Sequence, residues 1–375
     1  SSPNIAKQMH VGHLRSTILG DCICRVLECL GHNVKRQNHI GDWGTQFGTV
    51  ILGLWHICMA RQHEGAPYYI AELEELQTRS RDKDRLKDLC ENIRDRHEKD
   101  WREDSKDQIG DGKKIFGPFL ESLDKSSMSE LWKQLLLAYQ FVNLLEDAVA
   151  GMGLLIPTLQ AGMIPYENLS RHVTSMLQKG GAQNTQELDA WRDAREITLK
   201  HCGEIYQTLG VTLKKEHVRG ESEYNEDLPG VVADLKKEGL AKESDGAVCV
   251  FPPGFKNKEG EPLPFIIRKS DGAYLYATTD LAALRYRVSE LKADAIIYVT
   301  DARQKLHFEM LFEVAEMAEW ATKDRLKHVI FGSILGDDGT PLKTRSGENV
   351  KLKELLDEAV ERAKKIVEEK NPELS

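Results

Sequence analysis

Apolar side chains recur at three- and four-residue spacing along the first helix-length stretch of the chain: Val11, Leu14, Ile18, Cys22, Val26 and then Cys29 or Leu30. That period is one face of a helix, so a helix with this stripe buried is predicted. Gly31 follows the last apolar position, where a left-handed C-terminal cap would sit. Residues 33–40 read as a short extended segment, and Gly41-Asp42-Trp43-Gly44 as a turn before a helix through Ile51, Leu52 and Leu54. From about residue 60 to 215 the pattern changes. Charged helical stretches run through Ala71–Arg102, a strongly apolar helix covers Leu131–Val149, Gly151–Pro165 breaks the pattern with Gly and Pro, and a further helix spans Thr185–Leu209. Strand signals return with Ala247–Phe251 and Pro264–Lys269, which read as a pair, and with the apolar run Ala295–Thr300. A helix over Leu306–Trp320, a strand at His328–Phe331 and a charged helix over Leu352–Glu369 complete the reading.

The β-α-β order near the end predicts an α/β fold on a doubly wound parallel sheet, interrupted by a long, mainly helical insertion. The pattern places the first half of that fold at 1–60, the insertion or connective region at 61–215 and the second half at 216–375. The charge runs of the insertion read as solvated faces.

Composition narrows the class. With 375 residues and 41% hydrophobic positions the chain can bury a sizeable core in one large or two modest domains. A charged fraction of 30% describes a globular protein in water, and no run of about 18 apolar residues predicts a membrane span. Seven cysteines in a chain of this length point to reduced thiols and the cytoplasm. Cys22, Cys24 and Cys29 cluster on one predicted helix, but their spacing is not a usual zinc pattern, and no metal site is expected. A net charge of −9 argues against a protein coated in positive charge to hold nucleic acid, while leaving RNA open as a substrate.

Two stretches carry candidate chemistry. In Lys7-Gln8-Met9-His10-Val11-Gly12-His13, two histidines three apart share one face of a helix's first turn. Free backbone N–H groups and the positive dipole end favour a phosphate there. Gly12 lets a flat base or ribose approach the backbone, and Lys7 adds positive charge just before the helix. The same pattern also suits a helix cap or a pair of surface histidines. In Pro341-Leu342-Lys343-Thr344-Arg345-Ser346-Gly347, Lys343 and Arg345 stand on a glycine-bounded loop that could fold over phosphates, or could be an ordinary basic surface loop.

His10-Val11-Gly12-His13 resembles the HIGH motif of class I aminoacyl-tRNA synthetases. The longer string from Ser2 to Thr17, and Gly41-Asp42-Trp43-Gly44-Thr45-Gln46-Phe47-Gly48, resemble the arginine-specific branch in particular. Lys343–Gly347 resembles the degenerate form of the family's KMSKS loop. Its second lysine is absent and Gly347 stands near that place; Lys7 matches a lysine before the HIGH motif that compensates in the family.

The resemblance implies catalytic roles at the phosphates for His10, His13, Lys7 and Lys343, with Gly12 and Arg345 also at ATP. A guanidinium is best met by carboxylates that accept its planar fork of donors. The match implies that Asp280 binds it, that Tyr276 lines the pocket, and that Glu221 and Gln304 contact arginine, with Asn4 at the substrate's α-amino or carboxylate end. Read without the family, Asp280 is a helix N-cap, Glu221 a surface acid and Tyr276 a core aromatic. The implied activity is activation of arginine by ATP, with Mg²⁺, to arginyl-adenylate and pyrophosphate, followed by transfer to the 3′ end of tRNA(Arg) by a monomeric enzyme off the membrane. Bound tRNA is expected to be needed for the first step. A first sheet strand upstream of Ser1, an N-terminal RNA-contacting domain and a C-terminal anticodon-binding domain are expected outside this chain. The alternatives are a non-catalytic synthetase-like binding module and another nucleotidyltransferase with a HIGH-type motif.

Overall fold

The computed structural model describes residues 1–7, 9–44, 46–53, 135, 139–140, 142–143, 146, 155–158, 162–165, 168, 170–174, 185–332, 335, 339 and 352–371. The predicted helices over 71–102, most of that over 131–149, Leu54, and the loop bearing Lys343 and Arg345 lie outside the described residues. The chain forms two compact units. One comprises 1–3, 9–41 and 205–375, the other 4–8 and 42–204. Among the described residues no helix is long and apolar enough to cross a membrane.

In the first unit, helix α1 (Val11–Cys29) closes as predicted. Gly31 takes φ +87°, its N–H bonds the Glu28 carbonyl at 3.0 Å, and the His32 N–H bonds the Leu27 carbonyl at 3.0 Å. This is a full Schellman closure, which glycine adopts without a Cβ clash. The predicted buried stripe is overturned. Ile18, Val26 and Leu30 are 43%, 52% and 69% exposed and Cys22 and Cys29 are exposed, while Val11, Thr17 and Asp21 are buried. The cause is polar. Asp21 accepts the Thr212 N–H at 2.8 Å, the Thr212 hydroxyl, and the Arg25 Nε–H at 2.6 Å, and satisfying that carboxylate turns the helix away from the arc its apolar residues mark.

The first unit's core lies around helix α3 (Leu228–Lys237), an antiparallel sheet β3–β4–β5 (Ala241–Ser244, Ala247–Val250, Phe265–Arg268), helix α4 (Tyr276–Ser289), strand β6 (Ile296–Asp301), helix α5 (Lys305–Met317) and strand β7 (Leu326–Phe331). Strands β6 and β7 pair in parallel, Ile296 opposite Leu326 through Asp301 opposite Phe331, with α5 as the crossover. This is the predicted β-α-β unit of an α/β protein. The pairing of β4 with β5 was legible, but β3 was not, since Ala-Lys-Glu-Ser carries one apolar side chain. Residues 33–37 have no regular structure. The extended segment begins at Asn38, whose N–H bonds the His217 carbonyl at 2.7 Å, and runs parallel to 217–221 with Glu221 N–H to Ile40 at 3.1 Å. The charged helix α6 (Leu352–Lys370) forms as predicted, its first N–H bonded to the Met9 carbonyl at 2.9 Å.

In the second unit the Gly/Pro-rich break is a hairpin, β1 (Leu155–Thr158) antiparallel to β2 (Gly162–Pro165), followed by helix α2, whose span Thr185–Thr208 begins in this unit. Asp42 is fully buried against α2. Its carboxylate accepts the Arg195 Nε–H at 2.8 Å and its carbonyl accepts the Trp191 indole N–H at 2.7 Å. Trp43 meets Trp191 edge-on at 5.9 Å. Residues 46–53 are helical, and a Cβ on Gly48 would lie 1.8 Å from the Ser170 carbonyl oxygen. Asp42, Trp43 and Gly48 of this string thus serve packing within this unit.

Gly48→Ala is expected to lower stability by at least about 3 kcal/mol, the upper range of overpacking penalties, because the obstacle is backbone rather than a movable side chain. Urea unfolding midpoints of the two proteins, compared at equal slope, check this.

Candidate active site

The start of α1 is capped by imidazoles. His10 is the N-cap, in extended conformation at φ −105° and ψ 171°. Its Nδ1 accepts the Gly12 N–H at 3.0 Å, and the His13 Nδ1 accepts the His10 N–H at 3.1 Å. The rings lie 4.1 Å apart, tilted by 49°. A ring nitrogen that accepts an N–H carries no proton, so each neutral imidazole holds its hydrogen on Nε2. Burial, then the nearby His10 charge, pushes the His13 pKa down to about 3. Burial, followed by the Arg303 guanidinium and opposed by Asp301, lowers that of His10. The motif therefore presents two neutral Nε2–H donors at neutral pH. The cap reading and the phosphate reading of the two histidines are compatible, because one nitrogen of each ring caps the helix and the other remains a donor.

Two expectations change here. The Gly12 N–H is taken by His10 and the His13 N–H by the His10 carbonyl at 2.8 Å, so an anion would meet imidazole donors where bare backbone was expected. Gly12 has a nearer reason to be glycine: a Cβ would lie 2.7 Å from Cε1 of the His10 ring that caps the helix, too close for it to stay in place.

Helix α1 packs beside β6, and the charges of Asp301 and Arg303, where that strand ends, act on His10. Asp301 accepts the Arg303 N–H at 2.9 Å and its Nε–H at 2.7 Å, starting the short 3-10 turn Ala302–Gln304 that leads into α5. The C-terminal edge of a parallel sheet beside a helix N-terminus is where open α/β folds bind ligands.

A buried carboxylate, Asp280 of α4, meets two histidines, His307 of α5 and His39. Asp280 lies in the second turn of α4, whose N-cap is Leu275, so its predicted alternative as a cap is excluded. His307 Nε2 hydrogen-bonds the Asp280 Oδ2 at 2.7 Å, and His39 Nε2 stands 3.8 Å from Oδ1. Burial alone would raise the Asp280 pKa, but the His307 hydrogen bond and the charges of His39, His307 and Arg287 outweigh it and hold the carboxylate below its usual range. Burial, with Arg287 adding to it against Asp280, pushes His39 down to about 4. Arg287 lies two turns beyond Asp280 and donates to Gln37. Tyr276 is 71% exposed one turn before Asp280 on the same helix, which rules out the core-aromatic alternative. Gln304 is exposed one turn before His307. Half-buried Glu221 is tied through its N–H to Ile40, next to His39.

The structure thus brings His10, Gly12 and His13 to one end of α1, and Asp280, Tyr276, Gln304 and Glu221 to the adjoining elements of the same unit. In the other unit, exposed Asn4 and half-buried Lys7 stand on a loop held by buried Ile5 and Ala6. Ala6 takes φ +57° and donates its N–H to Thr198 Oγ1 at 3.1 Å, and Lys7 Nζ lies 5.2 Å over the Tyr139 ring. Sequence reasoning missed His39, His307 and Arg287. The available signals were the i, i+3 spacing of His307 from Gln304 and the charge of Arg287 on an otherwise apolar helix face.

The chain matches the family described as tRNA synthetases class I (R), catalytic domain, over residues 1–97 and 164–375. It is 41% identical over 375 residues to the arginine–tRNA ligase of Alcanivorax borkumensis and 42% identical over 376 to that of Psychromonas ingrahamii; 100% of this chain is covered in each case. It spans about half the length of those relatives, 51% of each. Its structure is similar to the crystal structure of arginyl-tRNA synthetase from Plasmodium falciparum, with a TM-score of 0.60 and 28% identity over 98% of this chain and 46% of that one. The Thermus thermophilus arginyl-tRNA synthetase shares the fold at a TM-score of 0.58 and 18% identity, covering 100% of this chain and 54% of that one.

His13 and His39 make stability pH-dependent. Between about pH 6.5 and pH 4 both bind protons in the unfolded chain and exclude them in the folded one, so stability falls as pH falls through that window. His13→Gln should flatten the slope by about 1.4 kcal/mol per pH unit, the contribution of one proton. Urea unfolding at pH 7, 6 and 5 measures it, and an unchanged slope would contradict the assignment.

Proposed function

We propose that this chain, which belongs to the family of class I tRNA synthetase catalytic domains of the (R) type, activates arginine with ATP and passes it to the 3′ end of tRNA(Arg). The observation that carries the reading is the pair of neutral Nε2–H donors at His10 and His13, beside a strand end and in the same unit as the Asp280 carboxylate.

In the first step a carboxylate oxygen of arginine bonds to the α-phosphorus of ATP and the bond to the bridging oxygen breaks, releasing pyrophosphate. Nucleophile and leaving group are both anions, so no general acid or base is required. Catalysis rests on placement and on donors that strengthen as charge builds on the phosphate oxygens. His10 and His13 fill that role, and as uncharged groups they add little ground-state attraction for the triphosphate. Lys7, Lys343 and Arg345 supply the full positive charges, with Gly12 beneath the nucleotide. Asp280 takes the guanidinium, Tyr276 borders it, Glu221 and Gln304 accept or donate at its remaining polar edge, and Asn4 serves the α-amino or carboxylate end. In the second step a ribose hydroxyl of the tRNA terminus attacks the arginyl carbonyl and AMP leaves. Residues 61–215 are read as an insertion between two halves of this fold. Among the described residues no three His, Cys, Asp or Glu side chains group to hold a metal. Magnesium is read as entering with ATP, bound to the triphosphate oxygens.

Arginine-dependent exchange of pyrophosphate into ATP, with and without tRNA, tests the reading; no exchange in either case, from folded protein, would end it. His13→Ala should lower kcat by roughly 100-fold with the Michaelis constant for arginine changed by less than about threefold, the magnitude of losing one transition-state donor. Equal losses in both would make the histidine structural. Asp280→Asn should raise the Michaelis constant for arginine at least about 100-fold, since a buried guanidinium without its carboxylate is strongly penalised.

A further inference from the structure

Asp280 is not an isolated acid waiting for a cation. One of its oxygens, Oδ2, is committed to His307 at 2.7 Å, while Oδ1 has no hydrogen bond among the described residues; His39 Nε2 stands 3.8 Å from it, beyond hydrogen-bonding range. The Asp280 side chain is 17% exposed, and Oδ1 is not among the buried polar atoms that lack a partner, so it remains open to a ligand. A carboxylate oxygen without a protein donor keeps its acceptor capacity for an arriving cation. A second unpartnered polar atom, the buried His39 Nδ1, lies on the ring that faces it.

The His307 ring is itself held. It lies 5.6 Å from Phe265 of β5 and meets Phe308 edge-on at 5.3 Å, so its orientation comes from packing on two elements. It is in the first turn of α5, one turn after Gln304, and it reaches across to the second turn of α4. The contact therefore joins the two helices that carry the pocket's polar groups.

We propose that His307 is the positioning residue of the amino-acid pocket: its Nε2–H anchors Oδ2 of Asp280, fixes the carboxylate plane, and leaves Oδ1 as the oxygen presented to the incoming guanidinium. The proposal rests on the reading that Asp280 receives the guanidinium. His307 then sets affinity for arginine without touching it. It also sharpens the preference for a guanidinium over an uncharged ureido group of the same shape, because a carboxylate free to rotate can follow either.

The test uses the full-length protein and two substitutions of similar reach, His307→Gln, which keeps a donor, and His307→Met, which has none. Michaelis constants for arginine and ATP and kcat are read by pyrophosphate exchange, with citrulline as the ureido competitor and a thermal melt of each variant. His307→Met should raise the Michaelis constant for arginine about tenfold, the loss of one hydrogen bond to a charged group. The constant for ATP and kcat should stay within about twofold, and the ratio of arginine to citrulline affinity should fall severalfold. His307→Gln should keep the arginine constant within about threefold of the parent. Equal arginine constants in Met and Gln variants overturn the proposal, as does a joint loss in all three parameters that follows a lowered melting temperature. Asp280→Asn separates the two levels. If it leaves the arginine constant unchanged, the reading of Asp280 fails; if it raises that constant while His307→Met does not, only the role of His307 is overturned.

Discussion

Two backbone N–H groups at the start of α1, those of His10 and Gly12, decide how the paired histidines present their remaining donors. By donating to Nδ1 of His10 and of His13 they place the remaining hydrogen of each ring on Nε2 and orient it away from the helix. Burial, joined by Arg303 at His10 and by the neighbouring ring at His13, then keeps both neutral. A charged imidazolium would bind a triphosphate tightly before any reaction. A neutral donor gains most when negative charge grows on the oxygen it faces, which is the difference that accelerates a step. The cap is thus a means of choosing protonation state, and Gly12 is its steric condition, since any Cβ would displace the His10 ring.

The acidic end solves the opposite problem of keeping a charge in a poorly hydrated place. Burial pushes Asp280 toward its neutral form, and the His307 hydrogen bond, with the positive charge of Arg287 further along α4, pulls it back. The same neighbour that keeps the carboxylate ionised also dictates its orientation. The largest of the effects that favour the charge comes from a contact between two helices, each anchored separately: α4 by the Thr278 hydroxyl to the Ile267 carbonyl, α5 by Phe308, Leu311 and Val314 in the core.

Motif strings of equal apparent specificity carry different kinds of information. His10–His13 is a helix cap whose rings each keep a second donor. Gly41–Gly48 is packing: a buried Asp42 paired with Arg195, an edge-on tryptophan pair, and a glycine that lets a helix rest directly on the carbonyl of Ser170. Nothing in the spelling of either string distinguishes them, because both are irregular and glycine-bearing. The distinction lies in what each side chain meets.

Local pattern determined the parts whose physics is local. The β6–α5–β7 run, the α2 and α6 helices, the pairing of β4 with β5 and the glycine closure at Gly31 were legible, since apolar period and a permitted φ are properties of adjacent residues. Family likeness added Asp280, Gln304 and the histidines as site residues. Tertiary structure alone decided which face of α1 is buried, because Thr212, 191 residues away, satisfies Asp21 and overrides the apolar stripe. It alone brought His307 to Asp280 across 27 residues and His39 to the same carboxylate from a different segment. Partners at that separation leave no periodic trace in a sequence: a hydrogen bond between two helices constrains the fold that brings them together, and only the fold records it.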